Sequence, residues 1–228
     1  MRLESPEFRP LPFGPEKDDI RSETPRASLG ALIVVWFVSV GAVFAGVAVY
    51  KGTPGDPAGP APLVFPDAPP LERAEGERKL LVFLHPRCAC SHATLAELER
   101  LLVGAPRQGL SVDLIFLLPE GEDEGFADTA LHRKASRIPR SRSHLDRGGA
   151  LAARFGAGTS GHTLFYDEAG ALRFSGGITP SRGHEGASQG GQRLATLLHG
   201  GLPDGDESAV YGCRLSGGST EGLDDDDE

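Results

Sequence analysis

The clearest pattern in the chain is an uncharged apolar run, LGALIVVWFVSVGAVFAGVAVY, over residues 29–50. At about 1.5 Å per residue, a helix of roughly 22 residues crosses a hydrocarbon core of about 30 Å. A cleaved signal peptide would carry a shorter apolar stretch, about 7–15 residues, so the segment predicts an uncleaved signal anchor. Residues 1–28, rich in proline and charge and without apolar periodicity, predict a disordered leader. Residues 51–78, including GTPGDPAGPAPLVFPDAPP, predict an extended Pro/Gly linker that holds the next domain off the bilayer.

A folded domain is expected over residues 79–201. LLVFLH (80–85) is a continuous apolar run of the kind found in a strand buried on both faces, and Pro86 stops it. From residue 91 to 103 the period becomes helical through Leu95, Leu98 and Leu102. Ser91 could cap this helix, and Thr94 with Glu97 forms a competing capping box. A second strand is expected over 112–119, then a polar excursion over 120–144 with a short helix near 128–137. A helical turn (147–155), a strand (162–167), a turn, a further strand (171–177), a glycine-rich loop and a helix (192–199) complete the pattern. Strand–helix–strand–helix–strand–strand–helix predicts an α/β sandwich with two parallel crossovers, a hairpin and a closing helix.

The 228 residues hold 31 Gly, 18 Pro and 39% hydrophobic positions, consistent with one core carrying polar extensions. The net charge of -9 is concentrated in the C-terminal stretch that ends Asp224-Asp225-Asp226-Asp227-Glu228. Residues 202–228 therefore predict an acidic, disordered tail. No basic patch interleaved with aromatics points to nucleic acid. Phosphate-binding glycine motifs and hydrolytic triads also find no support. Lys17, Arg21 and Arg26 precede the apolar run and only Lys51 follows closely. This bias places the N-terminus in the cytoplasm and the following domain outside, in the periplasm if the cell is bacterial.

That location matters because of the three cysteines, Cys88, Cys90 and Cys213. They are too few for a disulfide-stapled scaffold, and an oxidising compartment lets a pair cycle through a disulfide. Cys88 and Cys90 stand where the first strand gives way to the first helix, and a helix N-terminus stabilises a thiolate. His85 and Arg87 could add positive charge there, with His92 a further candidate. Cys90 is the near thiol for resolving a mixed disulfide and Cys213 the distant one. Metal binding is the alternative, with Cys88, Cys90, His184 and Cys213 as ligands suited to copper(I) or zinc. A third reading is a module that only binds a partner.

FLHPRCACSHATLAEL, followed later by LAARFGAGTSGHTLFYDEAGALRFSGGIT, resembles the strand, active-site and helix passage and the later hairpin of the thioredoxin-like superfamily. It is similar in particular to membrane-tethered, periplasmic RedB-type proteins. The resemblance covers residues 79–201. It implies a thioredoxin-like α/β sandwich that carries out thiol–disulfide exchange without a cofactor. Its partners would be a protein thiol or disulfide and a separate redox donor. It also implies that Arg182, His184 and Glu185, after the fourth strand, border the active-site face. Copper-delivery proteins on the same fold keep the metal alternative open. Two departures stand out. The family's Cys-x-x-Cys is here Cys88-Ala89-Cys90-Ser91, and the place of its cis-proline is held by Ser160-Gly161.

Overall fold

The computed structural model describes residues 26–56, 59–106, 108–138 and 141–215. The chain divides into two units, one ending at Phe44 and one beginning at Ala45. Helix α1 (Arg26–Gly52) takes in the expected apolar run. Within it, Leu29–Gly52 has a mean hydropathy of 2.6 with none of its most apolar window buried, and it is long and apolar enough to cross a membrane. Among the described residues it is the one helix of that kind.

The second unit is built on a six-stranded sheet in the order β3-β2-β1-β4-β5-β6. Its strands are β1 (Arg78–Leu84), β2 (Leu110–Leu118), β3 (Ser141–Arg147), β4 (Thr163–Tyr166), β5 (Leu172–Gly176) and β6 (Glu207–Ser208). The helices are α2 (Ala89–Gly104), α3 (Ala130–Ala135), α4 (Ala150–Arg154) and α5 (Gln189–Leu198). β1 runs parallel to β2, and β2 parallel to β3. β4 lies antiparallel to β1, and β5 antiparallel to β4. This is an α/β sandwich, as expected from the sequence.

The unbroken apolar run in β1 follows from its central place. Successive side chains point to opposite faces, so both faces must be apolar when both are covered. Leu80, Val82 and Leu84 join Leu95 and Leu98 of α2 and Leu194 and Leu198 of α5 in one core cluster. Leu81 and Phe83 join Phe155, Leu164 and Tyr166 in the other. Two buried charges, Arg78 and Lys79, open the strand ahead of this run. Lys79 is fully buried and forms an ion pair with Asp113 of β2, whose carboxylate also accepts from His144 Nε2 at 2.8 Å and Arg142 Nε at 3.2 Å. Burial pushes the Asp113 carboxyl up, but His144, Lys79 and Arg142 outweigh it and hold the group below the usual carboxylate range.

Several elements differ from the sequence reading. Two parallel crossovers are present, but the second leads into β3 at the sheet edge, within the stretch expected to be a polar excursion and turn. β3 is half-polar because an edge strand keeps one side in solvent. The strand expected to complete that crossover is β4, which enters antiparallel to β1. Helix α2 starts two residues before Ser91, with Cys88 as its N-cap. Neither expected cap forms: the Ser91 hydroxyl instead accepts from the His85 amide at 3.0 Å, tying α2 to the end of β1.

The expected linker is largely part of the domain. Val64 bridges Ala171, the Leu172 amide donates to Leu63 O at 2.8 Å, and Tyr166 donates to Pro62 O at 3.0 Å. Phe65 packs edge-on to Tyr166 at 5.3 Å, while Ala68 and Leu71 are buried in the second core cluster. The prolines made this segment read as a spacer, whereas its few apolar residues supply the outer cover of that core. The tail is likewise ordered through residue 215. β6 pairs parallel to β5, Arg214 bridges Thr159, and Leu215 is 1% exposed. The expected leader up to residue 25, and the acidic residues from 216 onward, lie outside the described residues.

If residues 60–71 belong to the fold, Leu71→Ala should destabilise the domain by about 2–5 kcal/mol, the usual cost of a core leucine deletion. Thermal unfolding of the full chain in detergent measures this, and an unchanged midpoint would return the segment to the role of a spacer.

Candidate active site

At the end of β1 the chain makes a turn through His85-Pro86-Arg87-Cys88, closed by Cys88 N donating to His85 O at 3.2 Å. Proline suits the second position of such a turn because its φ is already set. The turn leaves Cys88 at the N-cap of α2 in an extended conformation, with φ -109° and ψ 127°. The amides of the first helical turn have no partner within the helix, so this end favours negative charge. Cys88 is 2% exposed and Cys90, in the first turn, 7%.

Two further segments close over Cys88. One is the loop before β4. There the Gly161 amide donates to Phe83 O at 2.7 Å. Gly161 has φ +90°, and a Cβ would stand 2.7 Å from Thr94 Oγ1, so this position requires glycine. The loop presents fully buried Ser160, whose hydroxyl donates to Cys88 Sγ at 3.4 Å. Ser160 thus faces Cys88 from the loop just before β4.

The other segment is the C-terminal return. Ser160 N donates to Cys213 O at 2.7 Å, and Cys213 N donates to Ser160 Oγ at 3.1 Å. Gly212 lies so close to the loop that a Cβ would fall 1.9 Å from Ser160 O. Arg182 donates from its guanidinium to Gly212 O. Further along, Leu215 is buried and its amide donates to Gly158 O at 2.9 Å.

This arrangement brings the three thiols together, with Cys88 as the hub. The Cys213 thiol, then the Cys90 thiol, favour the ionised form of Cys88. With the Ser160 hydroxyl they outweigh burial and hold Cys88 far below the ordinary thiol range. Cys90 and Cys213 are both pushed well above that range, first because each donates to Cys88, then by burial and by the Cys88 charge. Arg182 partly offsets this at both, and the Gly183 amide does so at Cys90. All three cysteines are free, and Cys213 is the exposed member.

The other residues singled out in the sequence are placed as follows. His85 Nδ1 accepts from the Arg87 amide at 3.1 Å, and its ring meets Phe126 at 5.9 Å. Burial lowers its pKa, and Arg87 lowers it further against the opposing pull of Cys88. Near neutral pH it is an uncharged imidazole, so it does not supply the expected positive charge. Arg87 is exposed, with its guanidinium 3.9 Å over the Phe126 ring. His92 is exposed on α2. Glu185 pairs with Arg100. His184 is exposed and its Nδ1 bonds the Arg182 carbonyl at 2.8 Å, so it does not join the thiols. Among the described residues, no group of three or more His, Cys, Asp or Glu side chains is arranged to hold a metal ion.

Ser160 and Arg182 carry more of the site than the sequence reading gave them. Arg182 was legible as part of the loop bordering the active face, but its bond to Gly212 depends on a tail that was expected to be disordered.

The chain matches no family model and no curated protein. Among solved structures it is similar to hypothetical protein SMc02350 from Sinorhizobium meliloti, at 19% identity and a TM-score of 0.51, covering 73% of this chain and 96% of that one. It is also similar to an uncharacterized conserved protein from Geobacillus kaustophilus, at 16% identity and a TM-score of 0.52, covering 74% and 94%. These two likenesses show a shared fold. A secreted Mycobacterium tuberculosis disulfide oxidoreductase aligns over 54% of this chain and 81% of its own, at 16% identity and a TM-score of 0.37.

The hub arrangement makes Ser160→Ala informative. A hydrogen bond to a charged group contributes about 1.5–3 kcal/mol, and about 1.4 kcal/mol corresponds to one pH unit. The variant should raise the Cys88 titration midpoint by about one pH unit, read from the pH dependence of iodoacetamide labelling. An unmoved midpoint would remove Ser160 from the set that stabilises the thiolate.

Proposed function

We propose that this thioredoxin-like chain is a membrane-anchored, extracytoplasmic thiol–disulfide exchange protein whose reactive sulfur is Cys88. The observation that carries this reading is the placement of Cys88 at the N-cap of α2, with the Ser160 hydroxyl donating to its sulfur at 3.4 Å, an arrangement that favours the thiolate. Thiolates, and not thiols, enter and leave disulfides, so a stabilised thiolate is both available to attack and a good leaving group. Anchoring is supported by the apolar helix α1, and the extracytoplasmic side by the Lys and Arg bias around it. The substrates are protein thiols or disulfides, and a separate redox donor or acceptor returns the site to its starting state.

The same charge pattern suggests a direction. Whatever stabilises the Cys88 thiolate stabilises the reduced protein, which makes any disulfide formed by Cys88 more oxidising. A disulfide that includes Cys88 is therefore given up readily to a substrate dithiol.

In the reduced full-length protein in detergent, with oxidised glutathione as probe, Cys88→Ser should abolish exchange. In the unaltered chain the rate should fall little from pH 8 to pH 6, where an ordinary thiol of pKa about 8.5 would lose close to tenfold per pH unit. The sign follows from the depressed pKa: the thiolate is present above that pKa and is lost only as pH falls through it. Wild-type exchange rates in Cys88→Ser would refute the proposal. Stoichiometric copper or zinc that shields the thiols from alkylation would favour metal handling instead.

A further inference from the structure

Cys88, the ionised sulfur, is 2% exposed, which poses the question of how a protein substrate reaches it. The segment over it carries the answer. Cys213 is exposed, yet its thiol is the first contributor to the stabilisation of the Cys88 thiolate. Its backbone is fixed by the paired bonds with Ser160, the residue that also donates to Cys88. Gly212 and the Arg182 guanidinium hold the same segment in place. Cys90 stands in the first turn of α2 two residues after the N-cap, so a Cys88–Cys90 bond would close a small ring over a single intervening residue. Cys213 is held by a separate segment and has no such constraint.

Building on the exchange reading above, we infer that the redox pair is Cys88–Cys213, with the exposed Cys213 as the point where substrates enter. In the oxidised protein, a substrate thiolate attacks Cys213 Sγ. A substrate–Cys213 disulfide forms, the Cys88–Cys213 bond breaks, and the electron pair leaves on Cys88, the thiolate that its surroundings already stabilise. The substrate's second thiolate then attacks the substrate sulfur of the mixed disulfide and releases Cys213. The substrate dithiol becomes a disulfide, and the protein pair gains two electrons. Of the two substrate protons, one goes to Cys213 and the other to solvent, because Cys88 stays ionised. A small-molecule disulfide of the oxidised-glutathione class restores the Cys88–Cys213 bond.

The test maps disulfides in the full chain in detergent. The reduced protein is treated with oxidised glutathione, quenched in acid, alkylated and digested for mass spectrometry. The wild-type chain should yield a peptide linking Cys88 to Cys213, with Cys90 alkylated. Brief exposure of that oxidised form to reduced glutathione should place the glutathione adduct on Cys213 and leave Cys88 free. In Cys213→Ser, the adduct formed on Cys88 should persist at least about tenfold longer than in the wild-type chain, since its resolving thiol is gone. A Cys88–Cys90 link with Cys213 free, or an adduct on Cys88 in the brief exposure, would overturn this pairing while leaving the exchange reading intact. Failure of oxidised glutathione to modify any of the thiols would overturn both. The wild-type mapping needs no variant, so a folding defect in Cys213→Ser cannot mask the result.

Discussion

A buried thiolate persists only where donors surround it, because moving an unpaired charge out of water costs several kcal/mol even after relaxation. At Cys88 those donors come from three parts of the chain that are far apart in sequence. Cys90 comes from α2, Ser160 from the loop before β4, and Cys213 from the C-terminal return. Helix α2 contributes its N-terminal end, and the turn through Pro86 delivers Cys88 to that end. The rest of the domain can be understood as the framework that brings these pieces to one place. Ser160 is the joint of the arrangement, since a single hydroxyl donates to Cys88 and accepts from the Cys213 amide.

The framework extends beyond the residues with strong periodic patterns. The 60–71 segment covers the core face that holds Phe155 and Tyr166, and Phe155 packs against Phe83 at 5.9 Å, just before the Cys88 turn. The C-terminal return runs past β5, where β6 pairs, and is pinned at its far end by Leu215. Close approaches at Gly161 and Gly212 make the fit specific, because neither position has room for a Cβ. Chemistry and packing are therefore coupled: a change that loosens the return removes Cys213 from Cys88 and leaves the thiolate with fewer donors.

Much of the fold was legible in the sequence because its central elements have strong periods. β1 reads as a doubly buried strand, α2 as a helix through Leu95, Leu98 and Leu102, and the β4–β5 hairpin through its Asp167–Gly170 turn. The Cys88–Cys90 location at the strand–helix junction was also readable from local sequence. What was not readable depends on tertiary context. β3, with SRSHLDR, has little apolar content because it lies at an edge, and the two-residue β6 has no period at all. The 60–71 segment and the return were masked by proline, glycine and acidic residues, whose composition signals disorder more strongly than Leu71 or Leu215 signals burial. The meeting of Cys213 with Cys88 needed the path of that return, which no spacing in the sequence encodes.

The account rests on Cys88 being the ionised member of the three thiols, and competitive labelling measures this most directly. The reduced full-length protein in detergent would be treated with limiting iodoacetamide at pH 6 and then denatured and labelled with an isotopically distinct reagent. Peptide mass spectrometry reads the order of modification. Each rate is normalised to the rate of a neutral, similarly sized thiol reagent to correct for access. The account predicts that Cys88 is labelled first, with Cys90 and Cys213 reacting more slowly although Cys213 is the exposed one. Preferential labelling of Cys213, with Cys88 unreactive after that correction, would contradict it.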